Sequence, residues 1–222
     1  MNANIFITGT DTSVGKTLVS ATLCLKLGWK YWKPLQCGFS EEASGATDSD
    51  WVRNYIDPGK VYPEAYRFCS ALSPHAAAAI EDRTIHLELL LKKGQQMNHT
   101  IIEGAGGLLV PLNQELLLID LIQKLKCQTL LVVRSGLGTI NHTLLSIEAL
   151  RSRHIEPLGI IMVGDPNPAN RQAIQYYGNV KVLGEIPMLQ NINRPALCEA
   201  GKLINLKENF NEYCEHAQGH CR

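Results

Sequence analysis

The chain has 222 residues, of which 45% are hydrophobic and 19% charged, and its 21 Lys and Arg residues balance its 21 Asp and Glu residues. This composition excludes a disordered or fibrous chain, and the zero net charge gives no reason to expect a nucleic-acid or membrane partner. The length predicts one large domain with a short tail, because domains contain about 150 residues. The seven cysteines form no CxxC pair and the first residues lack a secretory signal, so we expect reduced thiols in a cytoplasmic protein.

Short apolar strands alternate with helices and glycine-rich turns along the chain. The expected strands are 4–8, a strand end at 31–34, 100–103, 129–133, 158–163 and 180–186, and the expected helices are 16–27, 48–56, 73–80, 86–97, 115–126, 140–153 and 169–177. Continuously apolar strands separated by helices indicate a parallel sheet that is buried on both faces. We therefore predict a doubly wound, mainly parallel α/β domain over residues 1–205, followed by a polar, loosely held tail over residues 206–222.

A glycine-rich segment, residues 9–17, directly follows the first predicted strand and begins the first helix. Binding a triphosphate with Mg²⁺ requires closely approaching backbone amides, a helix N-terminus, a lysine and a hydroxyl, and this segment supplies all four, the last two through Lys16 and Thr17. Its spacing is one residue longer than the usual GxxxxGK[ST] pattern. We interpret the segment as a nucleotide phosphate loop and the domain as P-loop NTPase-like.

A second group of candidate ligands is acidic. Glu103 ends the strand at 100–103 and is followed by Gly104-Ala105-Gly106-Gly107, whose small residues let the backbone approach a ligand. A carboxylate at such a strand end can hold Mg²⁺, which prefers oxygen ligands, or it can cap the next helix. Asp48 and Asp50, at the start of a short predicted helix, are candidates for a further acidic ligand; Asp11 is a weaker one, and helix capping competes for Asp48.

Lys33 lies near an expected strand end, after Tyr31 and Trp32. Burying its charge there requires an anionic partner, so we expect Lys33 to face a phosphate or a carboxylated ligand; the alternative is a surface lysine at a turn. His75 begins another helix, where it could equally cap or pack. The glycine-containing segment 136–142 precedes a helix at the same edge of the sheet and suits an anion such as a carboxylate.

Together these segments resemble the dethiobiotin synthetase family, the ATP-dependent carboxylases of biotin biosynthesis. The resemblance extends over nearly the whole chain, to about Pro187. The segments that carry it are residues 9–12, 14–17, 33–34, 73–75, 103–107, 140–142 and 184–187. The family has the same lengthened phosphate loop, so the extra residue supports the resemblance.

The resemblance implies a homodimeric ligase that uses CO₂ and MgATP to convert 7,8-diaminononanoate into dethiobiotin, ADP and phosphate. One amine captures CO₂ as a carbamate, ATP phosphorylates the carbamate, and the second amine attacks the mixed anhydride to close a cyclic urea. Lys16 and Lys33 are the implied catalytic residues, since they would neutralise the carbamate and the transferring phosphate.

The resemblance also implies binding residues. The implied ATP contacts are Ser13, Val14, Gly15, Lys16, Thr17, Leu18, Asp50, Glu103, Gly104, Ala105, Gly106, Pro187, Met188 and Leu189. The implied Mg²⁺ ligands are Thr17, Asp50 and Glu103. The implied substrate contacts are Thr12, Lys33, Cys37 and Asn141, the last reaching the substrate carboxylate across the subunit interface.

Two positions depart from the family's pattern. The family usually has a hydroxyl residue where Cys37 stands, and a thiol is a weaker hydrogen-bond donor to the diamine. The family commonly has an asparagine after the strand that ends near residue 163, where it reads the adenine amino group. This chain has Gly164 and Asp165 there. We therefore expect base recognition to pass to the backbone or Asp165, and base preference to be relaxed.

Two other functions remain to be weighed. A phosphate-loop switch ATPase of the partition or division-site kind would carry an additional lysine near the start of its loop, where this chain has Thr10 and Asp11. A cobyrinate-type amide-forming synthetase would need a glutamine-amidotransferase domain, for which 222 residues leave no room. The sequence favours the carboxylase over both.

Overall fold

A six-stranded parallel sheet forms the centre of the fold. The computed structural model describes residues 3–39 and 47–206, with strands β1 Asn4–Gly9, β2 Lys30–Trp32, β3 Leu35–Cys37, β4 Tyr66–Phe68, β5 Thr100–Gly107, β6 Gln128–Arg134, β7 Pro157–Val163 and β8 Val182–Ile186. The main sheet has the order β2-β5-β1-β6-β7-β8, and each neighbouring pair is parallel. This arrangement confirms the predicted parallel α/β fold.

Helices cover both faces of this sheet. They are α1 Lys16–Leu27, α2 Asp48–Arg53, α3 Pro74–Ile80, α4 Leu87–Gln95, α5 Leu118–Leu125, α6 Thr139–Ser152, α7 Pro168–Gly178 and α8 Arg194–Lys202. Local sequence explains several of their ends. Helices α7 and α8 follow Asn167 and Asn193, whose side chains accept hydrogen bonds from backbone N–H groups three residues later, and each has a proline in its first turn.

The strands divide their side chains between two main hydrophobic cores, because successive residues of a strand point to opposite faces. In β1, Ile5 and Ile7 belong to the core that includes residues of α1 and α8, whereas Phe6 belongs to the core that includes residues of α4 and α5. A third cluster joins β6 and β7 to α6 and α7. Burial on both faces explains why the strands read as continuous apolar runs.

Several features differ from the sequence-based expectations. Helix α5 begins at Leu118 rather than near residue 115, because Asn113 Oδ1 accepts the N–H groups of Glu115 and Leu116 and holds a turn there. Strands β3 and β4 form a separate two-stranded parallel sheet that was not predicted. Helix α8, also not predicted, packs against α1, where Lys26 Nζ donates to the Gly201 carbonyl at 2.8 Å.

The chain's last described residue, Leu206, is only 5% exposed and belongs to the first core, although the tail was expected to begin there. The remainder of the predicted tail, residues 207–222, lies outside the described residues. Within the described part of the chain, no helix combines the length and apolar character needed to cross a lipid bilayer.

Candidate active site

The phosphate loop joins the end of β1 to the start of α1 at the carboxyl edge of the sheet. Gly15 precedes the helix with a φ of 96°, a left-handed conformation that favours glycine. A Cβ on Gly15 would also lie 3.0 Å from Val163 Cγ1 at the end of β7. Both observations explain why a glycine occupies this position. The contact with Val163 also shows that the loop lies close to the turn that follows β7.

Lys16 is nearly buried, with 7% of its surface exposed. Its ammonium donates a hydrogen bond to the backbone carbonyl of Asp11, 2.7 Å away in the same loop. Burial lowers the pKa of Lys16 to about 8, although the charge of Glu103 opposes this shift. The loop therefore holds a desolvated cation whose charge an anionic ligand would stabilise.

Glu103 contacts three other side chains of the site. It is 1% exposed, and its Oε1 accepts hydrogen bonds from Thr17 Oγ1 at 2.8 Å and Lys33 Nζ at 3.2 Å. Its Oε2 accepts a hydrogen bond from the hydroxyl of Tyr31 at 2.9 Å. The predicted neighbours Thr17, Lys33 and Glu103 are thus in direct contact. Tyr31 is a participant that we did not predict, because its contact depends on β2 lying beside β5 in the sheet.

Lys33 is buried and forms ion pairs with the carboxylates of Asp48 and Glu103. Burial alone would lower its pKa, but the charges of Glu103 and Asp48 outweigh burial and hold the pKa above its usual value. The protein itself supplies the anionic partners that burial of Lys33 requires, because two carboxylates face its ammonium. Its contact with a phosphate or a carboxylated ligand stays a prediction.

The structure brings Asp48, and not Asp50, into this cluster. Asp50 lies at the third position of α2, where its carboxylate accepts the N–H of Thr47 at 3.1 Å and forms an ion pair with Arg53. These hydrogen bonds, led by that of the Thr47 hydroxyl, hold the pKa of Asp50 below its usual value. Asp50 therefore caps the helix and Asp48 faces the cluster. The sequence had suggested the opposite, with Asp50 as the metal ligand and capping as the competing role of Asp48.

A cleft of about 920 Å³ lies beside these groups. The predicted site residues that line it are Thr12, Ser13, Gly15, Lys16, Thr17, Leu18, Lys33, Cys37, Glu103, Ala105 and Gly106, and Asp48 joins them. Cys37, the last residue of β3, also lines the cleft, and burial raises the pKa of its thiol to about 11. One cleft thus gathers the loop, both lysines and two carboxylates.

Several other predicted residues do not line this cleft. Val14 is buried, and Gly104 packs against Phe6 and Leu118, so both serve the core around the loop. Asn141 is exposed on α6. His75 lines a separate cavity of about 880 Å³, and its Nδ1 lies 3.1 Å from Ser73 Oγ, as expected for a residue at a helix start.

The segment expected beside the adenine, residues 187–189, follows β8. The Gly164 N–H donates to the Ile186 carbonyl at 2.9 Å, so this segment lies next to the turn after β7. That turn begins after Val163, which would contact a Cβ on Gly15. The three segments therefore lie side by side at the carboxyl edge, and Met188 is 70% exposed there.

Comparison with known structures supports the fold. The septum site-determining protein MinD of Pyrococcus horikoshii is 18% identical, with a TM-score of 0.57 over 93% of this chain and 88% of that one. A ParA family ATPase of Chlorobium tepidum is 10% identical, with a TM-score of 0.56 over 91% of this chain and 92% of that one. At these identities the similarity shows the P-loop α/β fold alone.

Comparison with known sequences identifies the family. A family profile described as "AAA domain" matches residues 3–196. The ATP-dependent dethiobiotin synthetase BioD of Paramagnetospirillum magneticum is 45% identical over 83% of this chain and 88% of its own. The synthetase of the same name from Lawsonia intracellularis is 42% identical over 92% of this chain and 98% of its own. With these similarities and the cleft described above, the chain belongs to the ATP-dependent dethiobiotin synthetase family.

Proposed function

We propose that this chain converts 7,8-diaminononanoate, CO₂ and ATP into dethiobiotin, ADP and phosphate. The observation that carries the proposal is the convergence of Lys16, Lys33, Thr17 and Glu103 on one cleft at the carboxyl edge of the sheet. One substrate amine adds to CO₂ and loses a proton to give a carbamate. A carbamate oxygen then attacks the γ-phosphorus of ATP and displaces ADP. The second amine attacks the carbamate carbon, and phosphate leaves as the cyclic urea closes.

Charge neutralisation and positioning are the main tasks in this chemistry, because phosphoryl transfer needs little covalent help from the protein. Lys16, held at the start of α1, would bind the β- and γ-phosphates, which replace the Asp11 carbonyl as its partner. Lys33, which donates to Glu103 Oε1, would neutralise the carbamate and the transferring phosphate. Backbone amides of residues 13–18 would surround the phosphates.

The oxygen donors at this site fit Mg²⁺, which we propose as the metal that accompanies ATP. Thr17, Asp48 and Glu103 supply a hydroxyl and two carboxylates, the oxygen ligands that Mg²⁺ prefers, so Asp48 takes the place given to Asp50 in the sequence analysis. Among the residues described, no group of three or more His, Cys, Asp or Glu side chains could hold a metal, so the protein alone offers only part of a coordination shell. Phosphate oxygens and water would complete the shell. The bound ion would neutralise charge on the transferring phosphate.

The diamine would bind in the same cleft, beside the phosphate loop. Thr12 and Cys37 both line the cleft, and Lys33, which contacts Glu103, lines it as well. Cys37 would contact the substrate through a thiol that remains protonated. Residues 187–189 would lie against the base of the nucleotide, because their segment adjoins the turn beside the phosphate loop.

We further propose a homodimer in which Asn141 of one subunit completes the substrate site of the other. Asn141 and Leu145 are four residues apart on α6 and so share one side of the helix, and Leu137 lies in the turn just before it. Leu137 is fully exposed and Leu145 is 57% exposed in the single chain. Two exposed leucines that flank an exposed amide suit an interface that covers apolar surface and presents a polar group.

The dimer is tested by sedimentation of the wild type and of a Leu137→Asp variant. We expect a dimeric wild type, and a monomeric variant that has lost most turnover but still binds ATP. The exposed Tyr176→Asp change on α7 is the matched control and should leave the dimer intact. A wild type that is monomeric at full activity would contradict the proposal.

A cytoplasmic location is also proposed. ATP is a cytoplasmic substrate, and the five cysteines within the described residues are free thiols, which persist in a reducing compartment. Fractionation of cells that express the tagged chain would test this location. We expect it with the cytoplasmic markers, and recovery with membranes would contradict the proposal.

The reaction itself is tested by incubating the purified chain with 7,8-diaminononanoate, bicarbonate and MgATP. We expect dethiobiotin, identified by mass, and phosphate in equal amounts. Omission of the diamine should abolish phosphate release. Steady ATP hydrolysis that ignores the diamine and yields no dethiobiotin would instead favour a switch ATPase.

A further inference from the structure

We propose that Tyr31 is a positioning residue, which acts through Glu103 to fix the orientation of the metal-binding carboxylate. This inference rests on the proposed function, since it assigns Tyr31 a task in the same site. Tyr31 is fully buried, and its hydroxyl donates to Glu103 Oε2 at 2.9 Å. Tyr31 does not line the cleft, so it would act without touching substrate or nucleotide.

The sheet explains why a tyrosine on β2 reaches Glu103. Strands β2 and β5 are parallel, and Tyr31 is paired with Ile101, two residues before Glu103. Residues two apart on a strand point to the same face, so Tyr31, Ile101 and Glu103 share one face of the sheet. The next residue, Trp32, points to the opposite face and belongs to the other core. A phenol is long enough to extend along the strand to the carboxylate.

The hydrogen bonds divide the two oxygens of Glu103 between the core and the cleft. Oε2 is held on the core side by Tyr31, while Oε1 faces Thr17 and Lys33, which line the cleft. A carboxylate that is held at one oxygen cannot rotate freely, so its other oxygen keeps one direction. We infer that Tyr31 sets which oxygen of Glu103 is available to Mg²⁺ and to Lys33. Outer partners of this kind commonly tune a metal ligand.

Tyr31→Phe is the direct test, because it removes the hydroxyl and keeps the ring. The matched control is Tyr66→Phe, since Tyr66 is also buried and its hydroxyl accepts a backbone hydrogen bond from His86 at 2.9 Å, away from the cleft. Both variants should lose similar thermal stability. We expect Tyr31→Phe alone to weaken Mn²⁺ binding to the ADP-bound protein about tenfold, measured by electron paramagnetic resonance.

Turnover gives a second readout. Tyr31→Phe should raise the Mg²⁺ concentration for half-maximal turnover by about tenfold, and binding of ATP without metal should be unchanged. A Tyr31→Phe/Glu103→Gln double variant should bind Mn²⁺ no more weakly than Glu103→Gln alone, because Tyr31 acts through Glu103. Equal Mn²⁺ affinities in Tyr31→Phe and Tyr66→Phe would overturn the inference.

Wild-type protein offers a test that needs no variant to fold. The Cζ resonance of Tyr31 should shift when Mg²⁺ is added to the ADP-bound, ¹³C-tyrosine-labelled protein, whereas that of Tyr66 should not. An unchanged Tyr31 resonance would also overturn the inference. The binding experiments do not depend on the product: absence of dethiobiotin would refute the proposed function, while the Mn²⁺ affinities would still decide the role of Tyr31.

Discussion

Lys16 and Lys33 face the same cleft, but the protein shifts their pKa values in opposite directions. Burial lowers the pKa of Lys16 to about 8, and Lys33 itself contributes to that shift by repulsion. Lys33 is more deeply enclosed, yet the carboxylates of Glu103 and Asp48 outweigh burial and raise its pKa. Lys33 is thus a cation that two carboxylates of the protein hold in place, while Lys16 is a cation that, among the described residues, has no ion-pair partner and itself donates only to a backbone carbonyl. An incoming triphosphate supplies the partner that Lys16 lacks.

Replacing Lys33 should separate nucleotide binding from turnover. Lys33→Ala leaves Lys16 and the phosphate loop in place, so the dissociation constant for ATP should change less than about threefold. Turnover should fall by about 100-fold or more, because the charge that we propose to act on the transferring phosphate is lost. Equilibrium titration with a fluorescent ATP analogue and phosphate-release kinetics measure the two effects.

Lys30 provides the control for this experiment. It lies three residues earlier, at the exposed start of β2, and its ammonium contacts the Tyr62 hydroxyl rather than the cleft. Lys30→Ala should therefore retain full turnover. If Lys33→Ala were equally active, Lys33 would have no part in the chemistry.

The two aspartates of α2 should respond differently to the same isosteric change. Asp48→Asn should reduce turnover and raise the Mg²⁺ requirement at least tenfold, since it removes a carboxylate from the cleft. Asp50→Asn should leave both nearly unchanged and cost about 1 kcal/mol or less of folding free energy, as expected for a weakened helix cap. Mg²⁺ titrations of turnover and urea unfolding curves measure these effects. The opposite pattern would restore Asp50 as the metal ligand.

The choice between these aspartates shows where sequence reasoning reached its limit. Asp48 and Asp50 are two positions apart on a helix, so their side chains point in directions about 200° apart and only one can face the cleft. Which one does so depends on how α2 is rotated against the sheet. The spacing of Thr47 and Asp50 matches a capping box and was the available signal, because a residue used for capping is turned toward the helix start.

The phosphate loop and Glu103 were predictable because both follow buried apolar strands, and the ends of parallel strands meet at one edge. Strands β3 and β4 were not, because each has only three residues and too short a pattern to read. Their pairing nevertheless places Cys37 on the cleft wall. Contacts such as that of Tyr31 with Glu103 depend on strand order and register, which the periodicity of one strand does not contain.

Nucleotide base preference is expected to be weak. At Gly164 a Cβ would lie 2.5 Å from Ser135 Oγ, and the φ of 124° disfavours any other residue, so no side chain at this position can read the base. One missing neutral hydrogen bond is worth about 1 kcal/mol. CTP and GTP should therefore support dethiobiotin formation with kcat/KM within about tenfold of ATP.

Competition between the three nucleotides under identical Mg²⁺ concentrations measures this preference. Asp165 is exposed beside Gly164 and is the other residue expected to read the base. If its side chain contacts adenine, Asp165→Ala should bring the kcat/KM values for ATP, GTP and CTP closer together. A preference for ATP above about 100-fold would reject the prediction, and its persistence in Asp165→Ala would assign base reading to the backbone.

Cys37 should be a slow nucleophile despite lining the cleft. Burial raises its pKa to about 11, so at pH 8 only about one thiol in a thousand is ionised, and only the thiolate reacts with iodoacetamide. Alkylation should be about 100-fold slower than at an ordinary exposed thiol and should accelerate about tenfold for each pH unit up to 10. Exposed Cys198 in the same digest is the internal control, and peptide mass spectrometry follows both. Because deprotonation of Cys37 requires alkaline pH, turnover between pH 7 and 9 should not depend on the ionisation of this thiol.

If Cys37 were alkylated as fast as Cys198 at pH 8, the Cys37 thiol would be ionised far more readily than its burial implies.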